Sequence, residues 1–137
     1  MSRGIGAFVK KVLEDDTSVL YEYGAYNWNE SKYQNLERIR DGSIWIPKSC
    51  FSESEIHKKL KRIPSGRKRM VIKRIPVRVD YEKMLRDGTI QVENCSCCWQ
   101  TRGEGLKVDD MACHILFQVF QQYQKEGEIP EWVSYNV

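Results

Sequence analysis

One stretch of this chain sustains a helical period, and it constrains the fold more than any other feature. From Asp109 to Lys125, the residues Met111, Ile115, Leu116, Val119, Phe120 and Tyr123 recur at spacings of three and four, so they share one face of a helix. Asp109 and Asp110 stand at its positive end and Gly127 follows its last turn, which are residue types that start and stop helices. A single amphipathic helix cannot bury its own apolar face, so the remaining residues must supply the opposing layer.

What remains reads mostly as strand. Phe8–Leu13 and Val19–Tyr23 are rich in β-branched and aromatic residues, with the polar Glu14-Asp15-Asp16-Thr17-Ser18 as the turn between them. Ser43–Ile46 predicts a further strand, ended by Pro47. Ala25–Arg40 predicts a loop with a short helix in its latter part. Ser52-Glu53-Ser54-Glu55 has the capping-box form and predicts a helix running to about Arg62. Ile63-Pro64-Ser65-Gly66 then breaks the chain, and Met70–Ile75 predicts a strand ending before Pro76. Asp80 is the expected N-cap of a helix over Tyr81–Arg86 stopped at Gly88. Thr89–Glu93 alternates as a half-buried strand, and Trp99–Gly105 reads as strand and turn. In the aromatic tail Ile129–Val137, Trp132 and Tyr135 should pack back onto the domain. The fold class expected is therefore α+β: one domain over 1–137, mainly an antiparallel sheet, packed by the long C-terminal helix and one or two short ones.

At 137 residues the chain can bury one sizeable core. Its longest apolar runs are only a few residues, as in Ile115-Leu116-Phe117, whereas a membrane-spanning helix needs roughly 20. Met1–Gly6 has no apolar core of the secretory type, so a cytoplasmic location is expected.

The five cysteines are Cys50, Cys95, Cys97, Cys98 and Cys113. An odd number without a secretory signal predicts reduced thiols. Cys95 and Cys98 have the spacing of a zinc hairpin, with Cys113-His114 further along. Cys113 and His114, however, are neighbours on the predicted helix and point about 100° apart. No motif completes the ligand set, His57 and Cys97 included, so no metal and no cofactor is expected. A catalytic thiolate would need a partner base and an orienting group, and no spacing identifies them. Gly103-Glu104-Gly105 lacks the lysine of a phosphate loop. No catalytic residue is assigned.

The charge pattern is more informative. Lys58, Lys59, Lys61, Arg62, Arg67, Lys68, Arg69, Lys73, Arg74 and Arg78 fall within 21 residues that contain no Asp or Glu. Net charge is only +3, so the other 12 cations face all 19 acids of the chain. Two readings compete for this segment. In one, the cations are solvated, alternate with the core residues Leu60, Ile63, Val71, Ile72 and Ile75, and pair with the acidic remainder. In the other, they bind an anionic macromolecule. Phosphates would suit Lys and Arg, but no aromatic residue lies inside the run to stack bases.

A second aromatic-rich stretch, Tyr21, Tyr23, Tyr26, Trp28 and Tyr33, combines core and surface residues, and its Tyr26 and Trp28 offer rigid contact area with a polar handle. The profile is that of a small, non-catalytic protein-binding module. Single-domain α+β chains of this kind include, by analogy, the immunity proteins with which bacteria neutralise toxins by binding them, a task that needs surface and no catalytic group. The expected contact residues are Arg62, Arg67, Lys68, Arg69, Lys73, Arg74, Tyr26 and Trp28. The expected partner is an acidic protein surface, with nucleic acid as the alternative through residues 58–78, a cysteine-dependent metal or redox protein behind both, and no membrane.

Overall fold

Asp15 closes the first hairpin. Its Oδ1 accepts the backbone N–H of Thr17 at 2.8 Å and of Ser18 at 2.7 Å, the local bonding that makes aspartate a turn former. The computed structural model describes residues 3–62, 64–75, 77–103 and 105–137. Expectations resting on Met1, Ser2, Ile63, Pro76 and Glu104 lie outside the described residues.

The hairpin strands, β1 (Ile5–Glu14) and β2 (Ser18–Asn27), run further than strand propensity indicates. Gly6, Ala7, Gly24 and Ala25 are poor strand formers, yet they pair. Gly24 shows why a small residue stands there: a Cβ would collide with the carbonyl oxygen of Ile39 in the loop folded across it. That loop contains a short 3-10 turn at Ser31–Tyr33 and is tied down by Asn35, whose amide donates to the carbonyls of Ala25 and Ile39, both at 3.0 Å.

β3 (Gly42–Pro47), β6 (Gln91–Glu93) and β9 (Trp132–Asn136) complete an antiparallel sheet of order β6-β3-β2-β1-β9. Across one face lies α2 (Asp110–Glu126). Val9, Val19, Tyr21, Tyr23, Ile44 and Ile46 meet Met111, Ile115, Leu116, Val119 and Phe120 in the core. The two buried tyrosines keep their polar ends satisfied. Tyr21 Oη donates to the carbonyl of Pro130 at 2.6 Å, and Tyr23 Oη donates to Asp109 Oδ2 at 2.9 Å. Both ends of α2 follow the expected chemistry: Asp109 Oδ1 accepts the N–H of Met111, and Gly127, at φ +78°, donates to the carbonyl of Tyr123.

The short helix α1 (Tyr81–Arg86) is capped by Asp80, as expected, and Tyr81 stacks on Phe120 with ring centroids 4.1 Å apart. Thr89–Glu93 contracts to the three residues of β6. The strand-and-turn expectation for Trp99–Gly105 resolves as β7 (Thr101–Gly103) paired with β8 (Leu106–Asp109). In the tail, Tyr135 stacks on His114 at 5.0 Å, while Trp132 remains half exposed beneath Lys10 and Arg40.

One element differs in kind. The helix expected from Ser52 to about Arg62 is instead β4 (Glu55–Arg62), paired antiparallel with β5 (Lys68–Ile75) over its full length. Ile56 and Leu60, four apart, suit a helix face and a strand face equally. A cap contributes only about 1 kcal/mol, and the nearby turn, with Gly66 at φ +84°, brings a strand-forming sequence alongside.

Candidate functional site

The β4-β5 ribbon is fastened at its foot, and among the described residues it pairs with no third strand. On the entering side, Phe51 packs against Phe120 and Tyr123 with centroids 4.9 and 5.1 Å apart. On the leaving side, the buried Gln124 clamps the backbone of Val77, accepting its N–H at 2.7 Å and donating to its carbonyl at 2.9 Å. The Arg74 guanidinium lies against Gly127 at the C-terminal end of α2, where the helix dipole favours a cation. Beyond these points each eight-residue strand extends about 26 Å.

This arm carries the basic segment. Lys58, Arg67, Lys68, Arg69, Lys73, Arg74 and Arg78 are exposed. Among the described residues none of the seven forms an ion pair, whereas Glu14, Glu82 and Asp110 pair with Lys11, Lys48, Arg86 and Arg102 on the body. The side chain of Arg62 lies outside the described residues. Nor do the interleaved apolar residues form a core. Val71 and Ile75 are half buried, but Leu60 is 58% and Ile72 59% exposed. A ribbon of two strands with no layer above it has nowhere to bury them.

Register explains the arrangement. Residues directly opposite one another in an antiparallel pair share a face. Ile56 stands opposite Arg74, Lys58 opposite Ile72 and Leu60 opposite Met70. One face therefore presents Ile56, Leu60, Met70 and Ile72 as a stripe bordered by Lys58 and Arg74, with Lys68 toward the tip. Each of the four is at least half exposed. Lys73, Arg69 and the half-buried Val71 and Ile75 belong to the other face.

Tyr26 and Trp28 do not join this site. Tyr26 is 4% exposed, with its hydroxyl bonded to the Asn136 side chain, so it is a buried support and not a contact residue. Trp28 stacks on it at 5.1 Å and is itself 55% exposed. Among the described residues no hydrogen bond or ring contact links either to the arm.

The cysteine region is built differently. Cys95 Sγ lies 3.6 Å from Asp109 Oδ2 and Cys98 Sγ 3.8 Å from the carbonyl of Gln100. Burial, reinforced by the nearby Asp109 carboxylate, pushes the Cys95 thiol up to about 12 and that of Cys98 up to about 11. Burial likewise raises Cys113 to about 11. These are protonated thiols at neutral pH, poor as nucleophiles. All five cysteines are free, and among the described residues no group of three or more His, Cys, Asp and Glu side chains is arranged to hold a metal ion. Asp109 is itself pushed above the usual carboxylate range by burial.

Beside the foot of the arm, a groove of about 1080 Å3 runs between residues 77–85 and α2, lined by Arg78, Tyr81, Arg102, His114, Phe117 and Gln121 among others. Its Arg102 is engaged by Asp110 at 2.8 Å. Among the described residues no helix is long and apolar enough to cross a membrane.

Sequence reasoning located the cations but missed the apolar stripe and Gln124. The alternation of Ile56, Lys58 and Leu60 with its counterpart in β5 could have revealed the stripe had the segment been read as strand. Comparison of the chain with family models, with curated proteins and with solved structures finds no match.

Proposed function

We propose that this chain is a non-catalytic binding module that engages an acidic partner protein through its projecting basic hairpin. The observation carrying this reading is the set of six exposed cations on the arm, Lys58, Arg67, Lys68, Arg69, Lys73 and Arg74, with Arg78 just past its foot, none of them ion-paired among the described residues. Holding like charges together without counter-charges costs stability, and an anionic partner would offset that cost. An immunity-type inhibitor, which neutralises a toxin by covering it, would work in this way. Nucleic acid is the second reading, favoured by shape, since a two-stranded ribbon fits the major groove.

The test compares the wild-type chain with the Arg67→Glu, Lys68→Glu, Arg69→Glu variant as baits in an extract of the source cells, with and without nuclease. Proteins retained after nuclease treatment and lost with the variant are expected. Retention abolished by nuclease would move the function to nucleic acid, where affinity should also fall as a power of salt concentration.

A further inference from the structure

The cations account for attraction to an anion but not for the four aliphatic side chains standing in water between them. Ile56, Leu60, Met70 and Ile72 alternate along both strands, share one face by register and are 50–59% exposed. Their spacing carries the stripe along the ribbon from Ile56, near the foot, to the Leu60-Met70 pair toward the tip. Leaving such a row solvated is unfavourable for an isolated domain, and a contiguous apolar surface rimmed by charge marks an interaction site.

Resting on the reading of the arm as a protein-binding element, we infer that the stripe is the centre of the interface and that the partner presents an apolar patch ringed by carboxylates. Lys58 and Lys68 border the stripe on its own face, and Arg74 stands at its foot against the end of α2, so the complementary surface must be apolar at its middle and acidic at its rim. This is the usual anatomy of a protein interface, with a desolvated centre and a charged periphery. A duplex offers phosphates to the cations but little apolar surface to four aliphatic side chains in a row; insertions between base steps use isolated wedges. An anionic membrane would cover the stripe, yet Arg69 and Lys73 belong to the opposite face of the ribbon and would point away from it.

The division of labour follows from the chemistry. Rim cations set the encounter rate and the salt dependence, and the stripe sets the lifetime of the complex.

The full chain can be titrated with four probes. They are a synthetic peptide with leucines on one helical face and glutamates elsewhere, polyglutamate of equal charge, a DNA duplex, and vesicles containing phosphatidylserine. At physiological salt the amphipathic peptide should bind at least about tenfold more tightly than polyglutamate. The Leu60→Thr, Met70→Thr variant, which keeps strand-forming or polar-tolerant side chains at exposed positions, should lose that advantage while its residual polyglutamate binding is unchanged. Should the double variant fail to fold, Ile72→Thr alone serves, with a smaller loss. Equal affinity for the peptide and polyglutamate would overturn the role of the stripe while leaving the basic-arm reading intact. Binding of neither peptide probe would overturn both. Preference for the duplex or the vesicles would transfer the arm to that class of partner, and a fall in the chain's own oligomeric mass with the double variant would show that a second copy covers the stripe.

Discussion

The body and the arm are written in the same alternating code and come to opposite ends. In β2 and β3, Tyr21, Tyr23, Ile44 and Ile46 are buried essentially completely beneath α2. In β4 and β5, Ile56, Leu60, Met70 and Ile72 alternate in the same way and remain at least half exposed. The difference lies in what stands opposite, a helix face in one case and solvent in the other. Alternation prepares a face for burial; only a second layer performs it.

The sharpest way to break this comparison is to truncate one aromatic residue in the body. Phe120, 1% exposed and in contact with Phe51 and Tyr81, should cost about 3–5 kcal/mol as Phe120→Ala. Urea denaturation measures this, and a near-neutral change would mean that the helix face is not the core.

Next in size is the clamp between the two regions. Gln124→Ala removes two part-buried hydrogen bonds to the backbone of Val77, each contributing about 0.5–1.5 kcal/mol. Hydrogen exchange should rise selectively at the foot of the arm. Uniform exchange across the chain would show that arm and body unfold as one unit.

A pH experiment separates the interior from the surface. Burial raises Asp109 above its ordinary value of 3.8, so the folded state favours its neutral form. The stability it contributes is present below the unfolded value and is lost as pH rises through the raised folded value. Glu14, held low by Lys11 and Lys48, and Asp15, held low by the N–H groups of Thr17 and Ser18, act in the opposite sense. Their contribution is present above the ordinary range and is lost as pH falls through their lowered values. Asp109→Asn should therefore flatten the fall in urea midpoint from the carboxylate range toward neutrality and leave the acid limb in place. An unchanged neutral limb would mean that Asp109 is not the group responsible.

The smallest effect belongs to the arm itself. Leu60→Ala removes an exposed side chain, and stability should change by no more than about 0.5 kcal/mol. A loss of core size on urea denaturation would show that the stripe packs within the chain and is not a free surface.

Much of the body was legible because its signals are local. Asp109, the three-four spacing and Gly127 mark α2 within one residue of its ends, and Asp80 with Gly88 does the same for α1. The α+β class follows from one long helix among strands. The misreading of Ser52–Arg62 has a physical cause: capping box and i, i+4 spacing are helix signals, but pairing with β5 supplies a ladder that no local rule counts. Of the site, the charge run was visible as composition, whereas the burial of Tyr26 goes with its bond to Asn136, 110 residues further along the chain, as well as with its stacking on the neighbouring Trp28.

The chain's order alone thus determined where cations concentrate and which segment forms the covering helix. Tertiary structure decided which alternating strands acquire a covering layer and which project. It also decided that, among the described residues, the arm's cations stand outside the ion pairs of the body and that four aliphatic residues line up on one face between them. The reason is that residue types fix what a side chain prefers, while exposure and pairing depend on what the rest of the chain brings within reach.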